Sequence, residues 1–126
     1  MAYRPREKAL SLFNPLRDFK RFFLTAQKGQ YKYFTIYHWR SSELSIRDVE
    51  FACVASRKAV SKRATQRNRA KRRIKAAVYE FLAKNSVDCK IKLFIAAKKT
   101  AVTASWESLL CDLNKAMARI LKINEN

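Results

Sequence analysis

The side chains of this chain that could do chemistry are chiefly cations. From Arg57 to Lys75, ten of nineteen residues are Lys or Arg and none is acidic. The full 126 residues hold Lys+Arg 28 against Asp+Glu 10, a formal net charge of +18, so this stretch supplies more than half of it. Such a charge density repels itself unless a polyanion neutralises it. Guanidinium groups match phosphate oxygens two at a time, ammonium groups act as point charges, and the Asn68 amide can both donate and accept. The candidate nucleic-acid contacts are therefore Arg57, Lys58, Lys62, Arg63, Arg67, Asn68, Arg69, Lys71, Arg72, Arg73 and Lys75. A charged run is more often a solvated face. Solvated faces, however, mix signs as Glu/Lys pairs four residues apart, and this one has no carboxylate before Glu80.

The other reactive side chains point away from catalysis by the protein. The ten carboxylates form no sequence cluster that would hold two metal ions, and the lone His38 belongs to no Ser/His/Asp or Cys/His set. Cys53, Cys89 and Cys111 are odd in number, widely spaced and set among apolar residues, which suits reduced core thiols; no Cys pair has zinc-ligand spacing. Neither a catalytic residue nor a metal ligand is expected.

The cations need a scaffold, and the periodicity supplies one. A helix starting near Gln66, with Thr65 or Ala64 near its N-cap, puts Ala70, Ile74, Ala77, Val78 and Phe81 on one face and the cations on the other. The pattern breaks at Lys84-Asn85-Ser86. Upstream, Asn14-Pro15 reads as an N-cap followed by a first-turn proline, opening a helix with Leu16, Phe19, Phe23 and Ala26 on its apolar stripe and Arg17, Lys20 and Arg21 outside. Gly29, the only glycine, is the expected stop. Packing into the core is the expected role for at least one of Phe19 and Phe23.

Three strands are expected. Tyr31 to Trp39 alternates Phe34 and Ile36 on one face with Tyr31, Tyr33, Tyr37 and Trp39 on the other, His38 falling on the Phe34 side. The tyrosine face is either a second buried layer or a platform for unpaired bases, each stacked base contributing about 1–3 kcal/mol; so basic a neighbour favours the platform. After the polar connection Ser41 to Arg47, Asp48 to Ala55 is mostly apolar and expected to be central. Lys90 to Lys98 turns Ile91, Leu93 and Ile95 to the core and Lys92, Phe94 and Lys98 away from it. Thr103 or Ser105 caps a last helix whose stripe, from Trp106 to Leu121, is core.

This order of elements predicts an α+β fold, a two-layer α/β sandwich in which a small mixed sheet has a βαβ crossover carrying the basic helix, with one sheet face partly free. Hydrophobic residues at 48% and aromatics at 12% are too many for a disordered basic tail, and 126 residues make one domain. Residues 1–13 form a basic arm expected to order only against a partner. No apolar run reaches the roughly eighteen residues of a membrane span, so a cytoplasmic location is expected.

Arg67-Asn68-Arg69, followed by Ala70-Lys71-Arg72-Arg73, resembles the RNR signature helix of the bacterial ribonuclease P protein component. Asp18-Phe19 with Phe23, the aromatic Phe34-Thr35-Ile36-Tyr37, FACVASRK at 51–58, IKLFIAAKK at 91–99 and Ser105-Trp106-Glu107 are similar to that family's other elements in the same order. The resemblance covers most of the chain. It implies the accessory subunit of a ribonucleoprotein endonuclease that removes the 5′ leader from precursor tRNA, with catalysis by the RNA subunit and its Mg²⁺ ions. The implied fold is of the ribosomal protein S5 domain 2-like kind, with a left-handed crossover at the signature helix. The basic residues from Arg57 to Lys75 would lie against the catalytic RNA, and Phe19, Phe23, Phe34, Tyr37 and Lys92 would form a cleft for the leader. The implied partners are the catalytic RNA and precursor tRNA, with no obligatory protein partner and no membrane. A structural RNA-binding protein, such as a ribosomal protein, fits charge and size equally well, and a DNA-binding protein reading the major groove is a third reading; the ordered motifs disfavour both.

Overall fold

The computed structural model describes residues 13–42 and 48–122. The basic arm lies outside them except for Phe13, as does residues 43–47 of the polar connection. The elements are β1 (Asn14–Pro15), α1 (Phe19–Thr25), β2 (Gln27–Gln30), β3 (Phe34–Arg40), β4 (Asp48–Val54), α2 (Ala64–Lys84), β5 (Lys90–Ala97), α3 (Thr100–Thr103) and α4 (Trp106–Leu121). The five strands form one mixed sheet in the order β1-β4-β5-β3-β2. β4 runs parallel to β1 and β5, whereas β3 is antiparallel to β5 and β2. The crossover between the parallel neighbours β4 and β5 is α2, the basic helix. The expected two-layer α+β arrangement is thus present.

The helix stripes explain the core. Ala70, Ile74, Ala77, Val78 and Phe81 are buried as the periodicity predicts, and Leu82 joins them. From the sheet come Phe34 and Ile36 of β3, Val49 and Phe51 of β4 and Ile91, Leu93 and Ile95 of β5; from α4 come Leu109, Leu113, Met117 and Ile120. Ser105 caps α4 by accepting from the Ser108 N–H at 3.1 Å, one of the two caps anticipated. Val87 and Cys89 close the core beneath the end of α2.

Several expectations are corrected. Asn14-Pro15 opens no helix: the pair is an edge strand in parallel register with Glu50 and Phe51, and Leu16 N–H continues the ladder to the Phe51 carbonyl at 3.2 Å. Proline is tolerated there because an edge strand need not donate on both sides. The first helix instead starts at Phe19, behind an Asp18 in the left-handed region (φ 53°, ψ 61°) whose carboxylate accepts from Arg21 N–H at 3.3 Å. Starting later rotates the stripe, so the inward residue is Phe22, while Phe19 and Phe23 stay 46% and 42% exposed. Neither is a core residue.

Gly29 ends no helix either. It sits in β2 opposite Ile36, where a Cβ would lie 3.1 Å from Tyr31 Cε2, so close approach of the tyrosine ring explains the glycine. Tyr31 and Tyr33 precede β3 rather than extending its outer face; Tyr33 is buried and Tyr31 packs against the core. β4 is internal, though flanked on one side by only the two residues of β1, and the central strand is β5. α2 begins at Ala64 with Arg63 as N-cap, earlier than the sequence suggested. Of the cysteines, Cys89 is buried and Cys53 half-buried, but Cys111 is exposed and not a core thiol.

Candidate nucleic-acid interface

Two surfaces gather the candidate residues. The first is the sheet face turned away from α2 and α4. Strand register places its side chains in rows: Lys28, Tyr37, Phe94 and Ala52 across the middle, Trp39, Lys92 and Glu50 on one side, and Thr35, Ala96 and Val54 on the other. α1 lies on this face. Phe23 meets Phe94 at a centroid distance of 4.9 Å and Tyr37 at 5.3 Å, and Phe19 meets Phe94 at 6.0 Å, all edge-to-face. Lys28 and Lys92 hold their ammonium groups 5.6 and 5.5 Å from the Tyr37 and Trp39 rings. The Val54 row is left open, Val54 itself being 41% exposed. Half-exposed rings beside cations over a shallow floor can stack bases and attract phosphates.

The loop that delivers α1 is fixed by Glu50. Glu50 is only 6% exposed, and its carboxylate accepts from the Arg17 N–H at 3.1 Å and from Arg17 Nη2 at 3.4 Å. This tie positions Phe19 and Phe23 over the sheet. Four of the five cleft candidates, Phe19, Phe23, Tyr37 and Lys92, therefore come together. Phe34 does not. Strand alternation turns it to the opposite face, where it is 0% exposed. Phe94, Trp39 and Lys28 also belong to this face, though the sequence motifs did not assign them to the cleft. The alternation of β5 already placed Phe94 beside Lys92, whereas Lys28 was hidden by taking Gly29 as a helix stop.

The second surface is α2 with the turn that precedes it. Ser56 organises the turn, its hydroxyl accepting from Ala59 N–H at 2.9 Å and its carbonyl from Val60 N–H at 3.0 Å, while Val60 anchors it in the core. Arg57, Lys58, Lys62 and Arg63 are exposed around it, and Asn68, Arg72 and Lys75 are exposed along the helix with Lys71 half-buried. Asn68, Lys71, Arg72 and Lys75 line a groove of about 590 Å³ whose other wall is Phe13, Pro15 and Phe51 to Cys53. Burial pushes the Cys53 thiol up to about 12, against a weaker opposing pull from Lys71 and Lys75.

Not all the cations of the signature are free. Arg67 Nη1 donates to the Ser61 and Lys62 carbonyls at 3.1 and 2.8 Å, folding the turn back onto the helix. Arg69 Nε donates to the Val102 carbonyl at 2.9 Å. Arg73 donates through Nη1 to the Ala101 and Val102 carbonyls, at 2.8 and 3.1 Å, and through Nη2 to the Ala104 carbonyl. These carbonyls form the C-terminal end of α3, where the backbone dipole is negative and acceptors lack helical partners. Burial, then the neighbouring Arg69 charge, lowers the Arg73 pKa from its usual value. Of the residues expected on the outer face, Asn68, Arg69, Arg72 and Lys75 are exposed and Lys71 and Arg73 half-buried, but Arg69 and Arg73, like Arg67, bind the protein's own backbone.

No described helix is long and apolar enough to cross a membrane. A mixed sheet with two helices packed on one face, an aromatic and cationic opposite face and an all-basic crossover helix has the surface chemistry of an α+β nucleic-acid-binding protein. The sequence model of the ribonuclease P family matches residues 11–121. The chain belongs to that family and is a protein subunit of ribonuclease P, the endoribonuclease complex of tRNA processing.

Solved structures agree in fold. The RNase P protein from Thermotoga maritima matches at TM-score 0.62 and 18% identity, over 90% of this chain and 99% of that one. A Staphylococcus aureus RNase P protein, a mutant with defective mRNA degradation activity, matches at TM-score 0.64 and 18% identity, over 93% and 94%. No curated protein sequence matches the chain.

Proposed function

We propose that this subunit binds the catalytic RNA through the basic turn and α2, and holds the single-stranded 5′ leader of precursor tRNA on the sheet face beneath α1, while the RNA subunit performs the cleavage. The observation that carries this reading is the placement of Phe19, Phe23, Tyr37 and Phe94 on one sheet face while the basic crossover helix occupies the other. A leader strand stacks on the rings and is attracted by Lys28 and Lys92. On the opposite layer, Arg57, Lys58, Lys62, Arg63, Asn68, Lys71, Arg72 and Lys75 supply phosphate contacts. Arg67, Arg69 and Arg73 act first as clamps that set the shape of that surface.

Mg²⁺ supplies the nucleophile activation and charge neutralisation of phosphodiester hydrolysis, and in this reading the RNA subunit holds it. Among the described residues no group of three His, Cys, Asp or Glu side chains could hold a metal ion. The protein's contribution is screening and positioning. Cations spread along the interface reduce the repulsion between two RNAs, which lowers the Mg²⁺ concentration the reaction needs.

The test is cleavage of a 5′-extended precursor tRNA by a bacterial ribonuclease P RNA at low Mg²⁺, with and without this protein. Stimulation that disappears when the leader is trimmed to one nucleotide is the expected result. Tight RNA binding without stimulation would overturn the reading and leave a structural RNA-binding role.

A further inference from the structure

Beyond both surfaces lies a third cationic site, at the end of the sheet where β3 runs out. A cavity of about 510 Å³ opens there between the β3 end and the last turn of α4, and Gln27, His38, Arg40, Ser42, Arg119 and Lys122 are among the residues lining it. Three of these are cations from two distant elements, and no acidic residue among those described lines the cavity. Arg119 is held in place by Tyr31, its guanidinium carbon 5.9 Å from the ring centroid. Lys122, in the left-handed region at φ 56°, ends α4 by donating its N–H to the Ala118 and Arg119 carbonyls. The helix C-terminus accounts for a preference for Arg119 and Lys122, but not for Arg40 on β3.

Arg40 is the informative residue. Its Nε is buried and has no hydrogen-bond partner among the described residues. A buried guanidinium nitrogen nearly always finds an acceptor, and three cations lining one cavity with no carboxylate among the described residues call for an anion. His38 adds no charge near neutral pH, because burial lowers its pKa from the usual 6.5.

The cavity also adjoins the aromatic face. Thr25 and Trp39 line both it and a smaller cavity of about 300 Å³ formed with Arg21, Phe22 and Lys92. A strand leaving the rings past Lys92 and Trp39 therefore meets Arg40, Arg119 and Lys122 next.

We propose that the end of the sheet at Arg40, Arg119 and Lys122 is a phosphodiester-binding site that takes the backbone of the RNA strand lying on the aromatic face, at nucleotides beyond those stacked there. Arg40 donates through its terminal guanidinium nitrogens to phosphate oxygens, and Arg119 and Lys122 neutralise the same or the next phosphate. The proposal rests on the reading that a single-stranded leader occupies that face.

The experiment measures binding of the assembled holoenzyme to precursor tRNAs with leaders of increasing length, comparing the native protein with Arg40→Gln/Lys122→Gln. The expected result is no difference at the shortest leaders and a loss of about tenfold once the leader reaches the site. The slope of log affinity against log salt should also shallow by about 1.4, the value for two phosphate contacts to a single strand. An equal loss at every leader length, or on mature tRNA, would assign the site to the tRNA body or the catalytic RNA and overturn the proposal. No loss at any length would also overturn it, making Arg40 a structural residue.

If leader length does not affect binding of the native holoenzyme, the leader reading fails first and this proposal with it. If the double variant does not fold, the side-chain Nε–H resonance of Arg40 in the native full chain decides. It should shift on titration with a leader oligonucleotide and with inorganic phosphate, and its failure to move with either overturns the site.

Discussion

Arg73→Met separates the structural cations of α2 from those left for RNA. The substitution keeps the apolar stem and removes a guanidinium that donates to the carbonyls of Ala101, Val102 and Ala104. Val102 retains the donor from Arg69 Nε, and half-buried Ala104 can take a water. The Ala101 carbonyl belongs to a residue with 0% exposure and is left without that donor. An unsatisfied buried acceptor costs about 1–3 kcal/mol, and the weakened bonds to the other two carbonyls add a smaller amount, for a total of about 3 kcal/mol. In a domain of this size that lowers Tm by roughly 10 °C. Differential scanning calorimetry of the free protein measures it. Arg73→Lys keeps the charge but loses the forked geometry, so it should also melt early while binding the catalytic RNA almost normally. Arg72→Met, at an exposed position, should do the reverse: a Tm change within about 2 °C and a clear loss of RNA affinity. If Arg73→Met melted like the native protein and lost RNA affinity as Arg72→Met does, the clamp assignment would be refuted.

Tyr37→Ala should weaken binding of precursor tRNA to the holoenzyme by roughly tenfold, the order of one stacked base, and leave mature tRNA unaffected; equal losses on both would remove Tyr37 from the leader face. Phe34→Ala, by contrast, should cost about 3–5 kcal/mol of stability as a core truncation, visible in urea unfolding, because Phe34 is fully buried. In thiol alkylation at pH 8, exposed Cys111 should react first and Cys53 far more slowly, its thiol being held from an ordinary 9.0 up to about 12. The same shift has a sign in stability: the unfolded thiol ionises above about 9 while the folded one keeps its proton, so Cys53 favours folding below pH 9 and that contribution is lost as pH rises toward 12. A Cys53→Ala variant should show a flatter fall in stability across that range.

Where the chain's local pattern and its tertiary environment agree, the elements are legible in order. The α2 stripe, the alternation of β5 and the Ser105 cap are each set by residues within one element, and all three are present. The failures have a common cause in partners distant along the chain. Asn14-Pro15 carries every local mark of a helix start, yet β4 is waiting more than thirty residues later to pair with it. That pairing delays α1 to Phe19 and exchanges Phe22 for Phe19 and Phe23 as the buried position. The same delay leaves two phenyl rings half-exposed on the sheet face, so the miss falls on the surface that carries the proposed function. Phe34 was assigned by position in a motif where strand parity, already visible in its pairing with Ile36, puts it in the core.

The basic helix poses a stability problem as well as offering a binding surface. Within α2, Arg67 and Lys71, Arg69 and Arg73, and Lys71 and Lys75 are like charges four residues apart, each pair costing a few tenths of a kcal/mol at low salt. An acidic partner at i+4 would relieve this but would also cancel the positive field of the helix. The chain relieves it with backbone instead. The carbonyls at the end of α3 take Arg69 and Arg73, and those of Ser61 and Lys62 take Arg67. Carbonyl dipoles satisfy the donors without neutralising the net charge, so the helix stays strongly cationic at long range while its most crowded guanidinium groups are fixed at short range. This explains why three arginines of a helix proposed to bind RNA engage the protein's own backbone: Arg69 and Arg73 hold α2 and α3 together and Arg67 folds the preceding turn onto the helix, so that Asn68, Lys71, Arg72 and Lys75 are presented as one rigid surface.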